Sequence, residues 1–175
     1  MKYSKFFPIL IFTLPLIYEG IIQLIERVDR VRAWRLAEDI ANRLNKPILI
    51  VSRPKGRHPC GSKVRGDVCI DVDPKVLREC PETGMVLSVY DVDKVFKEKQ
   101  FAVAYVSHVL EHLEYPHIAL KKLLKVADHV VIVAPRKLSV AAILHPEHKW
   151  WVHVKDNTVI FEGRDYPVKI IVTYS

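Results

Sequence analysis

Phe101–Pro135, FAVAYVSHVLEHLEYPHIALKKLLKVADHVVIVAP, contains a strand, a loop, a helix and a second strand in one continuous stretch. Phe101 to Val106 is a short apolar run without charge, and His129 to Ala134 is a second run, closed by Pro135. Such runs fit parallel strands covered on both faces. Between them Ile118, Leu120, Leu123, Leu124 and Ala127 recur at helical spacing, with Lys121, Lys122 and Lys125 on the opposite side. The stretch is therefore a βαβ unit, whose crossover is right-handed in nearly all proteins. Ligands of open α/β sheets collect at the carboxyl ends of the strands, which puts Ser107, His108 and Glu111 at the expected site.

Upstream, three further strands are expected: Pro47 to Ser52 (PILIVS), Val68 to Val72 (VCIDV) and Val86 to Tyr90 (VLSVY). With them, SHVLEHLEYPHIALKKLL followed by VVIVAP resembles the segment that closes the cofactor site of class I S-adenosylmethionine-dependent methyltransferases. The resemblance covers roughly residues 34 to 152 and implies a Rossmann-like three-layer sandwich with a mostly parallel sheet and an antiparallel carboxyl-terminal hairpin. It also implies S-adenosylmethionine as cofactor and an unidentified methyl acceptor. In that family an acidic residue ending the second strand holds the ribose hydroxyls, the place of Asp73, and another after the third strand lies near the adenine, the place of Asp91. Asp71 and Asp93 are close alternatives. A carboxylate at a strand end can accept two hydrogen bonds from a ribose diol, whatever the family.

The family's first strand normally ends in an acidic residue and a tight glycine cluster. This chain has Ser52-Arg-Pro-Lys-Gly56-Arg-His-Pro-Cys-Gly61-Ser-Lys instead. Ser52, Gly56 and Gly61 can still bring backbone close to a cofactor, because glycine takes left-handed conformations freely. Pro54, Pro59 and the glycines oppose a regular helix there. Arg53, Lys55, Arg57, Lys63 and Arg65 give the loop positive charge, which adds nothing to the binding of a cationic sulfonium. The basic loop can clamp an anionic substrate group or lie solvated at the surface. Two functional classes follow: a methyltransferase, and a degenerate relative that binds or scaffolds at a membrane.

The chain has 175 residues, a net charge of +7 and a pI near 9.3, which suit one well-buried α/β domain and anionic partners. The basic loop lacks interleaved aromatics, so nucleic acid is not an expected partner. Cys60, Cys69 and Cys80 share no metal-type spacing, and isolated thiols point to a reducing compartment.

Residues 6–25, FFPILIFTLPLIYEGIIQLI, carry one charge, Glu19, over about the length of a bilayer span. The expected organisation is an amino-terminal hydrophobic helix, 1–27, serving as membrane anchor, and a methyltransferase-like domain, 28–175. Packing on the domain or lying in the membrane interface are the alternatives. Arg27, Arg30, Arg32 and Arg35 follow the segment, which places the domain on the cytoplasmic side, or in the cytoplasm if the segment is no anchor. Residues 26–45 read as an amphipathic helix with Val31, Trp34, Leu36, Ala37, Ile40, Ala41 and Leu44 inward.

At the other end, His145, His148, Trp150, Trp151 and His153 crowd HPEHKWWVHV. Strand-like runs Thr158 to Glu162 and Val168 to Thr173 form the expected hairpin. In the family the loop after VVIVAP helps to form the substrate pocket, so His145, His148 and Trp150 are candidate substrate contacts. His108-Val-Leu-Glu111-His112 also fits H-x-x-E-H, in which two histidines one helical turn apart bind zinc and the glutamate acts as base. The motif follows a buried strand, Tyr115-Pro116 interrupts the helix, and no downstream helix offers a third ligand. No metal site is assigned on this basis; His108 lines the pocket, and Glu111 and His112 take local structural roles.

Overall fold

The computed structural model describes residues 7–52, 62–80, 82–165 and 167–173. A long helix α1 (Phe7–Leu44) leads into β1 (Ile48–Val51), followed by β2 (Val68–Asp71), α2 (Pro74–Leu77), β3 (Gly84–Val86), α3 (Val92–Val95) and β4 (Phe101–Ser107). Then come α4 (Pro116–Val126), β5 (Ala127–Val133), α5 (Val140–Leu144), β6 (Trp150–Lys155), β7 (Thr158–Gly163) and β8 (Lys169–Thr173). Strands β3-β2-β1-β4-β5 form one wholly parallel sheet in that order, and β6-β7-β8 form an antiparallel sheet. The fold is the Rossmann-like α/β arrangement anticipated from the βαβ unit.

Burial explains the order. All four residues of β1 and all seven of β4 are buried, as central strands covered on both faces must be. On one face, Trp34, Ala37 and Ala41 of α1 pack on Ile48, Ile50 and Tyr105. The two alanines, fully buried, let the helix backbone approach closely, and Trp34 meets Tyr105 edge-on at 5.2 Å between centroids. On the other face, Ala119, Leu120, Leu123 and Val126 of α4 join Leu49, Val51, Ala104 and Val106. Val152, Val159, Phe161 and Val172 of the second sheet extend the same core.

The elements differ from the sequence expectations at four places. Val31, Leu36 and Leu44 face solvent, so the buried stripe of α1 is narrower than the amphipathic pattern of residues 26–45 implied. The third strand is Gly84–Val86, three residues long, and Val89–Asp91 is a turn of 3-10 helix capped by the Ser88 hydroxyl, which accepts from the Tyr90 N–H. Trp150–Lys155 is an additional strand, paired with Thr158–Gly163, where a loop was expected. Cys80 is disulfide-bonded, so the reading of three isolated thiols fails, and with it the cysteine argument for a reducing compartment.

The expected membrane span is not supported among the described residues. No described helix is long and apolar enough to cross a membrane. Polar groups of α1 instead bond to the domain: the Tyr18 hydroxyl donates to the Leu138 carbonyl at 3.1 Å, Glu19 accepts from the Ser139 hydroxyl and the Val140 N–H, and buried Glu26 accepts from the Arg136 N–H.

Candidate functional site

The order β3-β2-β1-β4-β5 reverses direction between β1 and β4, and open α/β sheets bind ligands where the order reverses, beyond the strand ends. Register fixes which residues meet there. Val51 pairs with Ile70 on one side and Val106 on the other, so Ser52 follows between Asp71 at the end of β2 and Ser107 at the end of β4. The Ser52 N–H donates to the Ile70 carbonyl at 2.7 Å, and the His108 N–H to the Val133 carbonyl at 2.9 Å.

Both strands then turn abruptly. Ser52 has φ 60° and His108 has φ 55°, left-handed conformations that cost non-glycine residues of order 1 kcal/mol or more and that cluster at functional sites. Two such residues stand directly at the switch point, one after each central strand. His108 is buried enough that desolvation, with help from the Arg30 charge, pushes its imidazole down to about 4. Its Nε2 is buried without a hydrogen-bond partner, and its Nδ1 lies 3.5 Å from Glu111 Oε1. The Glu111 carboxyl is 1% exposed, and burial, reinforced by Glu26, raises it to about 7.

The acids of the sequence reading separate. Asp71, not Asp73, ends β2, and its Oδ1 accepts from the Asp73 N–H at 2.8 Å. Asp73 is exposed and caps α2, accepting from the Lys75 N–H at 2.8 Å. Asp91 pairs with Lys94 at 2.7 Å. Asp93 is turned to α4, where hydrogen bonding and charge from Lys122, with Lys125 nearby, hold its carboxyl below the usual range. Gly56, Gly61, Arg53, Lys55 and Arg57 lie outside the described residues.

The candidate substrate residues do converge. The 3-10 turn Leu110–His112 after β4 is stitched to the start of β6: the Lys149 N–H donates to the Glu111 carbonyl at 2.8 Å, and Trp150 Nε1 donates to the Leu113 carbonyl at 3.0 Å. Arg164 binds the His145 and Ile143 carbonyls. His145 and His148 are thereby stacked at 4.5 Å between centroids, with His112 at 5.3 and 4.7 Å from them. Burial lowers the His112 imidazole and takes that of His148 to about 4, so His148 is neutral at physiological pH.

The sequence reading did not bring His112 together with His145 and His148, although H-x-x-E-H was visible. The motif does not lie on one α-helix: His108 leaves β4 with a left-handed backbone and His112 ends a 3-10 turn. Glu26 and Arg30 were missed because nothing local in α1 says which residues reach the strand ends. A cleft of about 520 Å³ opens beside α1 between Ile22, Asp29, Arg136, Trp151 and His153. It includes neither Ser52 nor His108, and we place the site by topology and strain instead.

No family model matches the chain, and no curated protein matches it. Among solved structures it is similar to the [4+2]-cyclase SpnF, at 16% identity and a TM-score of 0.34, over 53% of this chain and 40% of that one. So loose a likeness bears on neither activity nor cofactor.

Proposed function

We propose that the chain is a methyltransferase-like protein that binds S-adenosylmethionine across the ends of β1, β2 and β4 and passes its methyl group to an acceptor. The observation that carries this reading is the pair of left-handed residues, Ser52 and His108, flanking the switch point with Asp71 beside them. The residues fit such a cofactor: Asp71 ends its strand where a ribose diol would lie, and a charge-assisted pairing is the chemistry a carboxylate offers there. When bound, the cofactor supplies an electrophilic methyl group. The protein's part is to position the acceptor for in-line attack, which requires no catalytic triad. His145 and His148, in the segment after α5, and Trp150, at the start of β6, are the candidate acceptor contacts, and the net charge of +7 favours an anionic acceptor.

Calorimetric titration of the full chain with S-adenosylhomocysteine tests the reading. Asp71→Asn is expected to weaken binding by about 1.5–3 kcal/mol, the worth of hydrogen bonds to a charged group, and Asp73→Ala by much less. A wild-type protein that binds neither S-adenosylmethionine nor S-adenosylhomocysteine would remove the transferase reading and leave a degenerate binding protein of the same fold.

A further inference from the structure

We propose that His112, His145 and His148 form a zinc site, with Glu111 orienting one of the ligands and a fourth coordination position left open. The inference stands apart from cofactor binding and survives its failure.

One potential ligand atom from each of the three imidazoles lies within 4.8 Å of the others. Three nitrogens around a tetrahedral zinc, at about 2.05 Å from it, lie roughly 3.4 Å apart. The side chains therefore need to close by little more than an ångström, within reach of small ring rotations.

The hydrogen bonds of His148 and the free Nδ1 of His112 suit the task. His148 Nδ1 lies 3.1 Å from the Ala142 carbonyl, which only accepts, so Nδ1 carries the proton and Nε2 is the free lone pair. A ring N–H donated to a backbone carbonyl is the arrangement that holds metal-binding histidines in place. His145 Nδ1 accepts from the Glu147 N–H at 3.4 Å, which puts the proton of the neutral ring on Nε2, so this ring takes a metal through Nδ1 by giving up that long contact. His112 Nδ1 is buried with no hydrogen-bond partner, while its Nε2 lies 4.0 Å from Glu111 Oε1. Coordination through Nδ1 turns that contact into a carboxylate–histidine–metal pairing.

Glu111 is a second, independent observation that points to a ligand beside His112. Both its carboxyl oxygens are buried without a hydrogen-bond partner, and the side chain is 1% exposed. Protein interiors rarely leave such a group unpaired, because desolvating it without compensation is costly. A divalent ion on the neighbouring imidazole supplies the compensating charge. The loops that carry the ligands are fixed before any ion arrives, by the Lys149 N–H on the Glu111 carbonyl and by Arg164 on the His145 carbonyl.

Three imidazoles without thiolate or further carboxylate suit a borderline ion such as zinc, and three protein ligands leave one position for water or a substrate oxygen. His108 takes no part, so the site differs from the one H-x-x-E-H spells. It joins the turn after β4 to the segment after α5 instead.

The test is a titration of the full-length, metal-stripped protein with Zn²⁺ against a chromogenic chelator, repeated with Co²⁺ to read the visible spectrum. One equivalent is expected to bind, and the cobalt bands to shift on adding azide at the open position. Loss of outer-sphere partners alone costs roughly 10–100-fold, so His145→Ala and His148→Ala should each weaken zinc by about 100-fold or more, and Glu111→Gln by about tenfold. His145 is exposed, so its replacement keeps the test valid if His148→Ala does not fold. His153→Ala, on the exposed face of β6, should bind as the wild type does. Absence of stoichiometric zinc binding, or undiminished affinity in His145→Ala, overturns the site; an azide-insensitive cobalt spectrum overturns the open position.

Discussion

Replacing Asp67 with alanine should destabilise the protein by about 3 kcal/mol, because one carboxylate holds together three parts of the chain. Its side chain is fully buried and accepts four hydrogen bonds: from the Ile48 N–H at 2.8 Å, the Ser62 N–H at 2.6 Å, and Arg65 Nε and Nη2 at 2.8 and 2.7 Å. Arg65 in turn donates to Asn42 at the end of α1. Removing the carboxylate strands the Ile48 N–H at the start of a wholly buried strand, worth about 1–3 kcal/mol, since no water reaches it. Breaking a buried pair costs about 3–5 kcal/mol, but Arg65 is 17% exposed and the Ser62 N–H can be rehydrated, which brings the sum toward the lower end. With a urea slope near 2 kcal/mol/M the midpoint should fall by about 1.5 M. Asp67→Asn, which keeps one acceptor oxygen, should fall by about half as much. An alanine variant within about 1 kcal/mol of wild type would refute the argument that this network pins β1 and residue 62.

Two further outcomes test the packing. Glu26→Leu removes the acceptor for the Arg136 N–H and should cost about 1–3 kcal/mol, with faster amide exchange at residues 136–140; unchanged exchange there would mean that the first half of α1 is not docked. Gly84→Ala would put a methyl 2.7 Å from the Cys80 carbonyl and 3.2 Å from Leu77 Cβ. The resulting overpacking should lower the melting temperature, by the equivalent of about 1–3 kcal/mol, and an unaltered melting curve would contradict that close approach.

The β4-α4-β5 unit was legible because its signals are local: two apolar runs, a lysine face and a closing proline lie within one stretch of chain. The fate of residues 6–25 was not, because apolarity measures what a segment tolerates rather than what it touches. Tyr18, Glu19 and Glu26 find partners more than a hundred residues away, at Leu138, Ser139 and Arg136. Similarly, HPEHKWWVHV showed histidines and tryptophans but not that Trp150–Lys155 would pair with Thr158–Gly163, a choice made by the covering of Val152 against Val159 and Phe161.

Period and composition fixed the parallel α/β class, the placing of Ser52, Ser107 and His108 at strand ends, and the richness of histidine near the carboxyl terminus. Those features depend on neighbours three or four residues apart, where backbone geometry leaves few alternatives. Packing settled the rest. Asp71 rather than Asp73 ends β2 because hydrogen bonding to β3 stops there, and Asp73 is taken up in capping α2. His112 meets His145 and His148 because the backbone at Glu111 accepts from Lys149 and the backbone at Leu113 accepts from Trp150. A hydrogen bond between residues that far apart leaves no periodic trace in the chain, since each partner's local preferences are satisfied whether or not the other arrives.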